Sequence, residues 1–153
     1  MKRYTIITLV FLLVLIQIPI IGLTDDEDST EDIMPKFSIK NRDIPMGDAD
    51  KTMTLSFNLE NSGYQAKNVV ITPEFIAENN PFTVSNLTNS ETIEKIGGNN
   101  TVNVKFKLSI APDAVAGTYP IRINVNYENI YGDQGHFEET VYVRLLAKVP
   151  HQN

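Results

Sequence analysis

The sequence predicts an all-β protein, an antiparallel β-sandwich of about seven strands that follows an N-terminal hydrophobic export helix. Residues 102–110 and 119–127 each carry an apolar side chain at every second position. A period of two over nine residues is typical of a strand with one buried and one solvated face. Turn-forming residues separate the other apolar segments, and no long helical period follows the N-terminal segment. This combination indicates two packed sheets.

The composition is that of a single domain without disulfides. The chain has 153 residues and no cysteine, which excludes disulfides and thiolate chemistry. About 120 residues follow the N-terminal segment, which is enough to bury a hydrophobic core without disulfide cross-links. Six of the 19 acidic residues lie between positions 25 and 32, and the other 13 balance the 13 lysines and arginines. The domain therefore lacks the basic surface of a nucleic-acid-binding protein, and we expect no nucleic-acid partner.

The N-terminus has the pattern of an export signal. Lys2 and Arg3 precede an uncharged, mostly apolar run at residues 5–23, and a short basic segment before such a run directs export. Residues 1–23 are either a signal peptide cut near residues 22–24 or a signal anchor, because about 19 helical residues nearly span a bilayer core. We expect an extracytoplasmic protein, secreted or anchored in the cell membrane by this helix, with no other membrane contact.

Composition also sets the limits of the folded domain. Residues 24–34 form an acidic segment without periodicity, which predicts a disordered and self-repelling linker. Pro35 begins the folded part, so the sandwich is expected over residues 35–147 and a C-terminal tail over residues 148–153.

Each strand is predicted from its own alternation and from the turns that bound it. The alternating segments lie at residues 37–39, 52–60, 66–75, 82–84, 92–96, 101–110, 119–127 and 136–147. Asn61 or Gly63 is expected to adopt a positive φ in the turn after the second strand. Pro73 cannot donate a backbone hydrogen bond, so it indicates an edge position or a strand end.

Two connections are predicted from proline and glycine. Pro112 suits the first position of a helix and Gly117 suits a C-terminal cap, so residues 111–116 are expected to form one helical turn. Gly132 indicates a hairpin loop over residues 128–135.

Four short motifs follow one another along the chain. They are L-x-N-x-G at residues 59–63, A-x-N-V at 66–69, F-x-L-x-I at 106–110 and P-x-A-x-x-G-x-Y-x-I at 112–121. In this order they resemble the Ig-like domains repeated in archaeal S-layer-type surface proteins. They are also similar to the CARDB adhesion-related domains and to the NEW-type domain associated with alpha-galactosidases. The resemblance covers residues 35–146 and implies an Ig-like sandwich in a cell-envelope protein. Because the chain has neither cysteine nor tryptophan, it would be Ig-like in architecture only.

Catalytic chemistry has no visible basis in the sequence. His136 and His151 are the only histidines, and both are interpreted as surface residues. A hydrolase needs a nucleophile, a base and an orienting group, and the chain has no HExxH, GxSxG, P-loop or GxGxxG motif. The sequence predicts a protein that is not an enzyme and that binds no cofactor.

Three aspartates in one predicted loop, Asp43, Asp48 and Asp50, are weak candidates for Ca²⁺ ligands. Hard cations require several oxygen ligands, but aspartate side chains also form turns and caps. Roles in turns account for all three residues, so no metal site is predicted.

Some residues are candidates for sugar contacts or sugar attachment. Exposed aromatic rings can stack on sugars, and Tyr64, Tyr131 and Tyr142 are the tyrosines expected at the surface. Two N-x-T sequons, at Asn86 and Asn99, fall in predicted loops and are candidate sites of N-glycosylation.

These observations predict a non-enzymatic, extracytoplasmic Ig-like module with a structural or adhesive role. We expect it to bind other cell-envelope proteins through its loops or sheet edges, for example near residues 37–40 or 82–85. The alternative is an accessory module that binds carbohydrate or another envelope polymer.

Overall fold

A computed structural model describes residues 33–40 and 43–147. The predicted export helix at residues 1–23, nearly all of the linker at 24–34 and the tail at 148–153 lie outside these ranges. Among the described residues, no helix is long and apolar enough to cross a membrane. The same residues form nine strands, which are β1 (Phe37–Ile39), β2 (Met46–Gly47), β3 (Thr52–Asn61), β4 (Ala66–Phe75), β5 (Phe82–Val84), β6 (Glu91–Ile96), β7 (Asn100–Ile110), β8 (Gly117–Glu128) and β9 (Gln134–Leu145).

The strands form two sheets, one with the order β1-β3-β7-β5 and the other with the order β2-β9-β8-β4-β6. The pairs are antiparallel, except that β2 runs parallel to β9 with Met46 beside Arg144. The prediction of an all-β sandwich is confirmed. The expected seven or so antiparallel strands are corrected to nine with one parallel pair. β2 was predicted as turns because two residues are too few to show alternation.

The core lies between the sheets and is built from the alternating side chains. In the four-stranded sheet, β3 and β7 pair over their whole shared length, with Leu55 opposite Phe106 and Phe57 opposite Val104. Phe57 and Phe106 are buried between the sheets with Ile123 of β8. The inward series predicted for β7 and β8 is confirmed, since its buried members are Val104, Phe106, Leu108, Ile110, Ile121, Ile123, Val125 and Tyr127.

The connection from β7 to β8 crosses between the sheets, and its predicted helical turn is wrong. Residues 111–116 form a turn in which the Ala114 N–H donates to the Ala111 carbonyl at 3.2 Å, and Gly117 begins β8. The Tyr119 hydroxyl donates to the Val115 carbonyl at 2.6 Å. In a helix, that carbonyl would accept from the Tyr119 backbone N–H. A tyrosine at this position with this bond is the tyrosine corner of Ig-like sandwiches.

The φ angles correct the prediction for the turn after β3, and the pairing of β4 confirms the prediction for Pro73. Among the described residues, positive φ occurs at Asp50, Asn68, Asn99 and Gly132, so neither Asn61 nor Gly63 adopts it. Gly63 is instead needed for space, because a Cβ there would collide with the Met34 carbonyl oxygen. Pro73 lies in β4 beyond the last residue paired with β6, which confirms its predicted edge position.

Candidate functional site

The two open sides of the sandwich, where sheet edges face solvent, are the places where another chain could add a strand. One of them, called here the β9 side, lies between the edges of β3 and β9 and contains a cleft of about 220 Å³. The cleft is lined by Ile39, Asp43, Ile44, Pro45, Leu55, Ser56, Phe57, Glu139, Thr140, Val141 and Tyr142. Its apolar floor comes from core residues, and its polar rim comes from strand edges.

Among the residues that the structure describes, the strands that cover the β9 side are short. β1 pairs only with the last three residues of β3, from Leu59 to Asn61. β2 pairs only with Arg144 and Leu145 of β9. Among the described residues, most of β9 therefore has a strand partner on one side only, which is β8.

The direction of the unpaired backbone groups follows from the bonds at the end of β9. The Arg144 N–H donates to the Pro45 carbonyl at 2.9 Å, outward from the sheet. Because backbone groups alternate in direction along a strand, Tyr142, Thr140 and Glu138 also direct their N–H and C=O groups to this edge. These residues form a row of donors and acceptors of the kind that pairs with an added strand.

Glu139 is an acidic side chain on the inward-facing side of β9, in phase with Phe137 and Val141. Its Oε2 accepts a hydrogen bond from the Ile39 N–H of β1 at 3.1 Å. The side chain thus bridges the edges of the two sheets. An inward-pointing charge is one of the devices that keep sheet edges from pairing with the wrong chain.

The three candidate tyrosines are exposed, as predicted, with exposed fractions of 48% for Tyr64, 71% for Tyr131 and 50% for Tyr142. They do not form one platform. Tyr142 lies at the cleft, whereas Tyr131 lies in the loop beyond the other end of β9. The nine residues from 134 to 142 span about 27 Å along the strand, so one small sugar cannot stack on both rings.

The candidate metal ligands are not brought together. Asp43 lies at the cleft, and the Asp50 N–H donates to the Ala111 carbonyl at 3.3 Å in the turn before β3. No group of three acidic or histidine side chains that could hold a metal ion occurs within residues 33–40 and 43–147. Asp50 has a φ of 62°, which agrees with a role in a turn.

His136 lies on the outer face of the five-stranded sheet, as expected for a surface residue. Its Nδ1 is 2.9 Å from Asn126 Oδ1, and its Nε2 is 3.7 Å from Glu138 Oε2. Arg122 on the same face pairs with Glu74 at 3.3 Å. Exposed pairs of this kind contribute little to stability. His151 lies outside the described residues.

A buried polar residue, Asn61, was not identified from the sequence as a structural centre. It is 0% exposed, and its side chain bonds backbone groups of three separate segments. Its Oδ1 accepts from the N–H groups of Lys36 (3.0 Å) and Gly63 (3.1 Å), and its Nδ2 faces the carbonyls of Tyr64 (2.6 Å), Ile96 (3.3 Å) and Gly97 (3.3 Å). The signal was present, because Asn61 continues the inward phase of Phe57 and Leu59.

The two sequons have different surroundings. Asn86 lies in the exposed loop between β5 and β6. Asn99 lies in the turn between β6 and β7 with a φ of 57°, and its sequon continues into β7 through Asn100 and Thr101.

Comparisons with known proteins bear on the fold. No protein-family model matches the chain, and no curated protein matches it. Among solved structures, it is similar to native alpha-2-macroglobulin from Escherichia coli in the region from domain MG7 to the C-terminus, with a TM-score of 0.55 and 9% identity. The match covers 75% of this chain and 17% of that chain.

Another similar structure is the seventh PapD-like domain of human CEP192, with a TM-score of 0.45 and 16% identity over 74% of this chain and 87% of that chain. A family 123 glycoside hydrolase from Clostridium perfringens matches with a TM-score of 0.48 and 14% identity, over 76% of this chain and 28% of that chain. The present chain thus spans only a small part of the macroglobulin and hydrolase chains. The similarity to the macroglobulin region concerns the fold alone.

Proposed function

We propose that this protein is a non-enzymatic, extracytoplasmic Ig-like module that binds a protein of the cell envelope through the free edge of β9. The observation that carries the proposal is the row of outward backbone groups at Glu138, Thr140 and Tyr142, beside an apolar cleft. Main-chain bonds to an added strand supply affinity, and side-chain pockets beside the edge supply specificity. The apolar N-terminal run at residues 5–23 supports export, either as a cleaved signal or as an anchor.

The cleft sets the kind of segment that would fit. An extended strand along β9 directs alternate side chains inward, toward Ile44, Phe57 and Val141. The cleft volume of about 220 Å³ accommodates one or two aliphatic side chains. The module therefore fits a strand-forming segment with aliphatic residues at alternate positions.

A proline substitution tests the edge without disturbing the sheet. The Thr140 N–H points away from β8, so Thr140→Pro removes a free donor and leaves the β8–β9 ladder intact. Thr140→Ser is the matched control because it keeps the N–H. We expect Thr140→Pro to lose partner binding while both variants keep the wild-type urea midpoint.

Binding is measured by photo-crosslinking in envelope fractions of the host. A photoreactive residue at position 138 lies in β9 with its side chain on the outer face beside the free edge, and one at position 105 lies on the outer face of the four-stranded sheet. The proposal predicts a discrete adduct from position 138 that Thr140→Pro abolishes and Thr140→Ser retains. Equal adducts from both positions, or an adduct insensitive to proline, would show that β9 is not the contact.

The alternative of carbohydrate or envelope-polymer binding has less support, because Tyr131 and Tyr142 lie at opposite ends of β9. Its strongest surface is the outer face of the five-stranded sheet, where Arg122, Asn124 and Glu74 are linked by hydrogen bonds. A glycan array separates the two functions. Saturable binding that is lost on Arg122→Ala and kept on Thr140→Pro would favour the alternative.

A further inference from the structure

The loop after β5 holds the side chain of Asn86 in a defined orientation. The Ser85 N–H donates to the Lys107 carbonyl at 2.8 Å, as in a continuing ladder. The Lys107 N–H then donates to Asn86 Oδ1 at 2.8 Å. The side-chain oxygen thus takes the place of the backbone carbonyl that a longer β5 would supply. Because oxygen and nitrogen branch from the same carbon, this bond directs Nδ2 away from the sheet edge.

The rest of this sequon is also open to solvent. Residues 86–89 are exposed, and Leu87 is fully so. The Thr88 hydroxyl donates to the Ser90 carbonyl at 2.8 Å within the loop. Among the described residues, no strand pairs with residues 86–90, so the whole sequon can enter an enzyme groove without loss of the sheet.

The second sequon differs in this respect. Asn99 is in a tight turn with positive φ, and the two residues after it are paired in β7. Asn100 lies opposite Asn61, and Thr101 lies opposite Glu60. An enzyme that binds Asn99 and Thr101 together would have to detach the start of β7 from β3.

We infer that Asn86 is the acceptor of an N-linked glycan in the folded protein and that Asn99 is not. The donor class is a lipid-linked glycosyl diphosphate, used by an extracytoplasmic transferase. The amide Nδ2 loses a proton to the transferase and forms a bond to the anomeric carbon. The bond from that carbon to the phosphate oxygen breaks, and the lipid diphosphate leaves with the electron pair.

This modification would change one side of the sandwich. Asn86 follows β5, the edge strand of the four-stranded sheet, so a glycan there covers Leu87 and the adjacent edge. A bulky polar group beside an edge strand hinders pairing with another chain. The glycan would therefore close the β5 side to strand addition and leave the β9 side open.

The inference is tested on folded, purified full-length chain with an oligosaccharyltransferase and a lipid-linked glycosyl diphosphate. Peptide mass spectrometry measures occupancy at both sequons, in the folded chain and in urea-unfolded chain that is diluted into the reaction immediately before the enzyme. We expect roughly tenfold or greater preference for Asn86 in the folded chain, because Asn99 requires local unfolding, and a much smaller preference in the unfolded chain.

Three variants complete the test. Asn86→Gln removes the acceptor, and Thr88→Ala removes the sequon without touching the bond to Lys107. Both are expected to abolish modification at residue 86 in the folded chain, whereas Asn99→Gln leaves modification at that residue unchanged. Equal occupancy of the two sites in the folded chain would overturn the inference. So would an Asn86 that is modified only after unfolding.

Discussion

Replacement of Asn61 by alanine should destabilise the domain far more than an ordinary polar substitution. The amide offers two hydrogens and two oxygen lone pairs, and all of them face backbone groups in a buried site. Four satisfied hydrogen bonds at roughly 1 kcal/mol each give about 4 kcal/mol. That is a large share of the free energy of unfolding of a typical domain, which is about 5–15 kcal/mol. We therefore expect the melting temperature to fall by roughly 15 °C.

The measurement is urea unfolding followed by far-ultraviolet circular dichroism. With an m-value of about 1.5 kcal/mol per molar, the midpoint should fall by roughly 2–3 M at constant m. Asn103→Ala is the control, because that side chain makes its hydrogen bonds on the exposed face of β7. We expect the control to change stability by less than about 0.5 kcal/mol.

A second substitution at the same site separates the donors from the acceptors. Asn61→Asp keeps the oxygen that accepts from Lys36 and Gly63 but removes both amide hydrogens. At neutral pH the carboxylate would face three carbonyl oxygens, so we expect the free energy of unfolding to fall at least as much as for Asn61→Ala. Protonation of the carboxylate in acid should partly restore it. A loss below about 1 kcal/mol for Asn61→Ala would refute the view that this residue joins three segments.

Three further outcomes are expected. Phe106→Ala removes a fully buried ring and should cost about 3–5 kcal/mol, seen as a lower urea midpoint; an unchanged midpoint would mean that the buried face is misassigned. Tyr119→Phe removes the hydroxyl bond to the Val115 carbonyl and should cost about 1 kcal/mol, with alanine at Val115 as a control that keeps the bond. Burial raises the pKa of the Tyr127 phenol above its ordinary 10.0. The contribution of the neutral Tyr127 phenol to the free energy of unfolding is therefore complete below pH 10 and is lost as pH rises through the higher folded pKa. The alkaline loss of stability should be smaller in Tyr127→Phe, and identical pH profiles would contradict this.

The parts of the fold that depend on local pattern could be predicted from the sequence. β4 and β5 have the predicted bounds, and β3, β6 and β7 differ from prediction by one residue at an end. In each of these strands, the alternation of apolar and polar side chains indicates which face is buried. The hairpin loop between β8 and β9 was likewise predicted, because Gly132 suits its positive φ of 92°.

The candidate site could not be predicted, because it depends on pairing between distant segments. β2 exists only because Met46 meets Arg144 near the end of the chain. Glu139 bonds a residue 100 positions away. Nothing in the sequence near β9 shows that β1 and β2 are too short to cover it. The prediction of a helical turn at residues 111–116 was wrong for the same reason. The conformation there depends on the crossing between the two sheets, which brings Val115 and Tyr119 together.

The two open sides of the sandwich differ in how they are protected, and this difference supports the β9 side as the contact. On the side of β5, the exposed edge is short and is followed by a loop that carries a sequon at Asn86. On the β9 side, the inward acid Glu139 protects the described part of the edge, and its carboxylate is already bonded to β1 through Ile39. A partner strand with a basic residue at the facing position would neutralise that acid, whereas an uncharged strand would bury it unpaired at a cost. Glu139 would then select the partner, because it penalises the strands that lack such a charge.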